Sequence, residues 1–232
     1  MNFERTLTVR VARTALTAAT LAALLTPFNA HASSAAVHAP GDTITAPIRE
    51  ALTQLPVRAE DRTGYQRDLF RHWVDADKDG CNTRAEVLLE EAVVAPERSG
   101  TCTLTGGQWY SPYDDRTIDG PRGLDIDHLV PLAEAWDSGA SGWSPAEREA
   151  YANDLEDGRA LIAVSARSNR SKADQDPSTW LPTAVGYRCT YATDWVADKT
   201  RWGLSIDATE QAALGDVLDD CPNIPISVTL AR

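Results

Sequence analysis

Gly123-Leu124-Asp125-Ile126-Asp127-His128-Leu129-Val130-Pro131-Leu132 and, further along, Leu161-Ile162-Ala163-Val164-Ser165-Ala166-Arg167-Ser168-Asn169-Arg170-Ser171-Lys172-Ala173-Asp174 are the stretches from which the fold is read. Gly123 to Asp127 predicts a short strand that ends at Pro131, whose nitrogen has no proton to donate to a ladder. Leu161 to Val164 predicts a second strand, with Ser165 placed to cap a helix running through Asn169 and Ser171. Neighbouring strand residues face opposite sides, so Asp127 and His128 can serve one site only where the strand bends or ends. Pro131 makes that reasonable.

Outward from these stretches the pattern is mixed. Ser144-Pro145-Ala146-Glu147 combines an N-cap, a first-turn proline and a capping-box glutamate, predicting a helix to about Leu155. Further helices are predicted over Ala192 to Trp202 and from the Asp207 cap, with Glu210, to Leu218. Ile48 to Val94 reads as helical with an interruption at Asp75 to Gly80, and Cys102 to Tyr110 as a hairpin turning at Gly106-Gly107. Residues 33–46 carry no periodicity and suit a flexible N-terminus. There is no internal repeat.

Residues 1–32 place Arg5, Arg10 and Arg13 before the apolar run Ala15 to Leu25 and then Ala30-His31-Ala32, the order of a cleaved secretory signal. The run is too short to cross a bilayer, for which about 20 apolar residues are needed. The 232 residues, 43% apolar and 24% charged, exclude wholesale disorder. The net charge is −12, and −14 once residues 1–32, with their three arginines and one glutamate, are removed. Such a chain repels nucleic acid globally and would need a local basic patch or bound cations to act on it. Cys81, Cys102, Cys189 and Cys221 form no CxxC pair, which argues for two disulfides rather than a zinc site. Three pairings are open; Cys81 with Cys102 and Cys189 with Cys221 closes the shortest loops, each adding about 3 kcal/mol.

Asp75-Ala76-Asp77-Lys78-Asp79-Gly80-Cys81-Asn82-Thr83-Arg84-Ala85-Glu86 sets carboxylates at positions 1, 3, 5 and 12 of a twelve-residue loop with glycine at position 6. This spacing resembles an EF-hand loop. Ca²⁺ takes six to eight oxygens, so Asp75, Asp77, Asp79, the Cys81 carbonyl and a bidentate Glu86 are its expected ligands. Asn82 stands where paired hands carry an apolar residue, so the site is expected to be solitary and its ion structural. The plain alternative is a solvated acidic loop.

Tyr151-Ala152-Asn153-Asp154-Leu155 lies between the two opening stretches, and Trp180-Leu181-Pro182 follows them. With these motifs in this order, the chain resembles the HNH endonucleases, specifically secreted bacterial members with an Asp-His first motif and an Asn-Arg-Ser-Lys third motif. The core of the likeness spans about residues 123–182. It implies a ββα-metal fold in which two strands and a helix hold one divalent ion, with His128 as general base, Asp127 and Asn169 as metal ligands, and Asn153 bracing the loop between the strands. Asn169 stands in place of the final histidine of the family pattern, which leaves the ligand count open, with Asp125 able to assist. The chemistry is consistent on its own terms: phosphodiester hydrolysis needs a base for water and positive charge for the departing oxygen. Oxygen ligands favour Mg²⁺ or Mn²⁺ over zinc. Arg159, Arg167, Arg170 and Lys172 are candidate phosphate grips against the acidic background. Trp136, Trp143, Trp180, Trp195 and Trp202 read as core before base-stacking platforms, and His72 as surface or packing.

The sequence therefore predicts an α+β, disulfide-bridged single domain: a signal at 1–32, a flexible 33–46, a helical segment 47–100 with the acidic loop, and an HNH core with C-terminal helices over 101–222. The expected function is a secreted, monomeric, metal-dependent endonuclease with little sequence preference and no membrane association. DNA is the expected substrate ahead of RNA, and activity should decline below the ordinary histidine pKa of about 6.5. The competing reading is a secreted calcium-binding envelope protein with an inactive nuclease-like core.

Overall fold

In a computed structural model, which describes Met1 and residues 38–232, the chain runs β1 (Thr43–Pro47), α1 (Ile48–Gln54), α2 (Thr83–Glu90), β2 (Glu97–Ser99), β3 (Thr103–Thr105), β4 (Gln108–Ser111), β5 (Arg116–Asp119), β6 (Leu124–His128), α3 (Leu132–Asp137), α4 (Pro145–Ala152), β7 (Leu161–Ser165), α5 (Ala166–Lys172), α6 (Arg188–Trp202), α7 (Ala208–Asp219) and β8 (Pro225–Thr229). Apart from Met1, the expected signal segment lies outside the described residues, as do residues 33–37. The strands pair two by two, all antiparallel: β1 with β8, β2 with β3, β4 with β5, β6 with β7.

Four of the helices, α2, α4, α5 and α7, begin at a side-chain cap. Ser144 Oγ accepts from the Glu147 N–H while Glu147 accepts from the Ser144 N–H, starting α4. Ser165 Oγ accepts from the Ser168 N–H and starts α5 directly at the end of β7. Asp207 does the same for α7 through the N–H groups of Thr209 and Glu210. Each such cap is worth about 1 kcal/mol.

Three local expectations are corrected. Between Gln54 and Thr83 the chain forms no α-helix, only a 3₁₀ turn at Arg67–Leu69, so the acidic loop has a helix after it and none before it. The cause is tertiary: the Asn153 side chain takes the Val74 N–H and the Arg71 carbonyl, groups a helix would have used internally. Gly106-Gly107 is not a hairpin tip but the joint between two hairpins, which turn at Gly100–Cys102 and Pro112–Asp115. Gly107 has φ +77° and a Cβ there would meet the Trp109 ring at 2.7 Å. Residues 43–46, expected to be flexible, belong to β1, whose Ile44 and Ala46 pair with Val228 and Ile226 of β8.

The main core gathers around α6, where Tyr191, Ala192, Trp195, Val196 and Ala197 are fully buried, and takes in Trp136, Trp143 and Trp202. Trp180 is only half-buried at its edge. A smaller core of Val87, Leu88, Trp109, Leu124, Ile126, Leu161 and Ala163 joins α2 to the β6–β7 pair. Two buried cations are paired with carboxylates. Lys199 Nζ donates to Glu134, Glu210, Ser138 and the Ser205 carbonyl at 2.7–2.9 Å, and Arg201 meets Asp154 through two bonds of 2.6 and 2.9 Å. Disulfides Cys81–Cys102 and Cys189–Cys221 fasten the acidic loop to β3 and the start of α6 to the end of α7. Residues 38–232 form one unit, with no division at Gly100.

Candidate active site

β6 and β7 run side by side with His128 opposite Leu161 and Leu124 opposite Ser165, and α5 follows β7 without a linker. Leu124 and Ile126 point into the smaller core. β6 ends at His128, so the alternation lapses there. As a result Asp127, His128 and Asn169 line one cleft of about 340 Å³, together with Arg67, Arg170 and Asp174.

His128 is buried, and its Nε2 lies 2.9 Å from the Ala152 carbonyl at the end of α4. A carbonyl only accepts, so in the neutral ring Nε2 carries the proton and Nδ1 keeps its lone pair. Burial, the largest influence, pushes the imidazole down to about 3, with Arg67, His72 and Lys172 acting in the same direction. The ring is therefore neutral through the mildly acidic range, and the decline expected near pH 6.5 is not set by His128 in this environment. Trp73 packs on the imidazole with ring centroids 5.4 Å apart, and His72 stands 6.3 Å away, edge on. Trp73 is held at φ +61°, a conformation that costs a non-glycine residue of order 1 kcal/mol or more.

Asp127 Oδ2 accepts from the Tyr113 hydroxyl at 2.6 Å and from Lys172 Nζ at 2.7 Å, while Lys172 also donates to the His128 carbonyl at 3.0 Å. Lys172 is 0% exposed. It is thus no phosphate grip, as the sequence predicted, but an internal cation. Burial raises the Asp127 carboxyl and lowers the Lys172 ammonium, each shift held in check by the other's charge. Asn169 Nδ2 points at Asp125 Oδ2, 3.4 Å away, which turns the amide oxygen from Asp125. Asp125 also receives Arg170 at 3.4 Å, so it orients the helix face rather than lining the cleft.

The remaining predicted residues divide. Arg170 lines the cleft. Arg167 lies on the other side of α5, and Arg159 is folded onto Asp157 with bonds of 2.8 and 2.6 Å and onto the Ser227 carbonyl, away from the cleft. Asn153, expected to brace the loop between the strands, lies in that loop and makes four bonds. Its Oδ1 accepts from the Val74 N–H and Thr83 Oγ1, and its Nδ2 donates to the Arg71 and Glu149 carbonyls. It therefore clamps the segment bearing His72 and Trp73 to the helix end whose Ala152 carbonyl holds His128. Arg67, Trp73 and Tyr113 escaped the sequence reading. None of the three carries a local signal in the sequence.

In the acidic loop, carboxylate oxygens of Asp75, Asp77 and Asp79 come within 4.8 Å of one another, as do those of Asp79 and Glu86. Burial and the three aspartates raise Glu86 above the ordinary carboxyl range. Gly80, at φ +97°, is required by more than the bend, since a Cβ would strike Thr101 at 2.5 Å. Arg98 already contacts Asp79 at 3.2 Å, a partner the sequence did not foretell.

Two comparisons bear on the cleft. A protein of Arthroderma benhamiae named "Uncharacterized secreted protein" is 38% identical over 204 residues, covering 87% of this chain and 98% of that protein. It is fungal, so the likeness is not confined to bacteria, and its name agrees with the export expected here. No helix among the described residues is long and apolar enough to cross a membrane. No solved structure matches the chain. Residues 82–217, which carry both strands, α5 and most of the cleft, match the family described as "GmrSD restriction endonucleases, C-terminal domain". The match spans more than half of the chain, and the chain belongs to the GmrSD restriction endonuclease C-terminal domain family, which points to a nuclease-type function.

Proposed function

We propose that the chain is a secreted, metal-dependent endonuclease of the HNH type, with β6, β7 and α5 as its ββα-metal core in an α+β fold, and that it hydrolyses DNA with little sequence preference. The observation that carries this reading is the shared cleft of Asp127, His128 and Asn169, each with an uncommitted lone pair. Asp127 Oδ1 and Asn169 Oδ1 are two hard oxygen donors, suited to Mg²⁺ or Mn²⁺. Such an ion supplies positive charge to the phosphodiester oxygens in the transition state. His128 Nδ1 takes the proton of the attacking water, with Ala152 holding the tautomer and Trp73 the ring plane. Lys172 and Tyr113 hold Asp127 in place and offset the effect of its burial. Arg67 and Arg170, both exposed at the cleft, hold phosphate oxygens, and phosphate contacts carry no base information, hence the low sequence preference. The acidic loop, in the same reading, takes one Ca²⁺ through Asp75, Asp77, Asp79, the Cys81 carbonyl and Glu86, and stabilises the fold.

Nicking of supercoiled plasmid with Mg²⁺, repeated with EDTA and with His128→Ala, tests the proposal. Chelator should abolish nicking and H128A should lower it by at least the 10²-fold to 10⁴-fold of a general base. Full activity in H128A would remove His128 from the chemistry. Cleavage of an RNA of the same sequence and not of DNA would change the substrate.

A further inference from the structure

We propose that the surface on the far side of α5 from the cleft is a second nucleic-acid subsite, which receives an unpaired stretch of the strand leaving the cleavage point; this rests on the nuclease reading above. A concavity of about 290 Å³ lies there, with Arg116 of β5 and Arg167 of α5 on its rim and Trp180 in its wall. Neither guanidinium has a carboxylate within 4.0 Å among the described residues, and the two line one concavity with Trp180. On a chain of net charge −12, two exposed cations left without counter-charge on one shelf call for an anionic ligand.

The acidic group at the shelf is already committed. Asp114 Oδ1 accepts from Ser111 Oγ at 2.6 Å and Oδ2 from Ser165 Oγ at 2.7 Å, so it braces β4 against the start of α5. Trp180 is held from behind: Nε1 donates to Ser171 Oγ at 3.2 Å, and the ring lies 5.2 Å from Tyr113 and 5.8 Å from Tyr191. A fixed, half-exposed indole lining the same concavity as two guanidiniums offers a base a stacking face and the adjoining phosphates their charge partners.

Stacking requires a base free of its complement, which selects a single strand at this point over a closed duplex. Asn169 and Arg170 face the cleft while Arg167 and Ser171 face the shelf, so the strand would cross α5. A helix with its side chains is roughly 10 Å across, so a short unpaired stretch of strand spans the distance from the cleft to the shelf.

The test is the salt dependence of binding to a short fluorescein-labelled oligothymidylate, read by anisotropy with EDTA present, for the full chain and for R116A/R167A, alongside plasmid nicking by the wild type. Loss of two single-strand phosphate contacts should reduce the slope of log K against log salt by about 1.4. Quenching of tryptophan emission by the oligonucleotide should be smaller in W180F than in the wild type. An unchanged slope, or unchanged quenching in W180F, overturns the subsite while wild-type nicking leaves the nuclease reading standing. A wild type that does not bind the oligonucleotide overturns the subsite whatever it does to plasmid.

Discussion

Replacing Lys172 by methionine separates two roles that the sequence could not tell apart. A surface lysine gripping phosphate would lose DNA affinity and leave stability untouched. The structure instead puts Nζ in a closed interior, 2.7 Å from Asp127 and 3.0 Å from the His128 carbonyl. Methionine keeps the stem and its packing but removes the charge, leaving a buried carboxylate whose one remaining donor is Tyr113. Breaking a buried pair in this way costs about 3 to 5 kcal/mol. At roughly 2 to 4 °C per kcal/mol for a domain of this size, Tm should fall by about 6 to 20 °C. Urea unfolding with disulfides intact and EDTA present measures the loss with no bound ion contributing. The cycle is completed by Asp127→Asn and the double variant: because the two groups meet directly, the double variant should lose less than the sum of the singles, by more than 1 kcal/mol. A K172M loss below about 1 kcal/mol, or simple additivity, would refute the internal ion pair as the anchor of Asp127.

Three further outcomes follow from the same contacts. Tyr113→Phe removes a hydroxyl bonded to Asp127 and should cost about 1.5 to 3 kcal/mol in the same unfolding assay, the range for bonds to charged groups. Ca²⁺ at about 100 times its dissociation constant should stabilise the fold by about 2.7 kcal/mol, with Tm rising in wild type and not in Asp75→Ala; equal melting with and without chelator would count against the loop as an ion site. Glu91, whose carboxyl is pushed up to about 7 by burial and accepts the Ala163 N–H at 2.9 Å, retains a proton in the folded state between about pH 4.5 and 7 that the unfolded chain has lost. Its contribution is complete below pH 4.5 and disappears as pH rises through 7, so Glu91→Gln should gain on the wild type by up to about 3 kcal/mol from pH 4.5 to pH 8. Parallel Tm profiles for the two proteins would show that Glu91 titrates normally.

What could be read from the sequence was whatever a few neighbouring residues decide. The Ser144, Ser165 and Asp207 caps, β6 and β7, and the cysteine pairs that close the shortest loops all belong to that kind. The shared cleft could be anticipated because Asp127 and His128 are adjacent and Asn169 follows β7 by a single turn of helix. Lys172 could not be told from a surface lysine, since its burial depends on Asp127, 45 positions away. Lys199 hides for the same reason, its partner Glu134 lying 65 positions off. Asn153 was assigned a bracing role, yet which segment it braces was decided by Val74 and Arg71, backbone groups without any side-chain signature. Arg67 belongs to the cleft only because the chain before the acidic loop abandons the helix its periodicity promised.

The pairing of β1 with β8 brings together residues such as Thr43 and Thr229, 186 positions apart. For a chain delivered across a membrane from its N-terminus, β1 waits for β8, and that sheet cannot close until β8 has also crossed. Contacts of such long range also form slowly, because the entropy of ring closure must be met before they stabilise anything. Closure of that sheet is thereby deferred to the compartment where both strands share the same solvent.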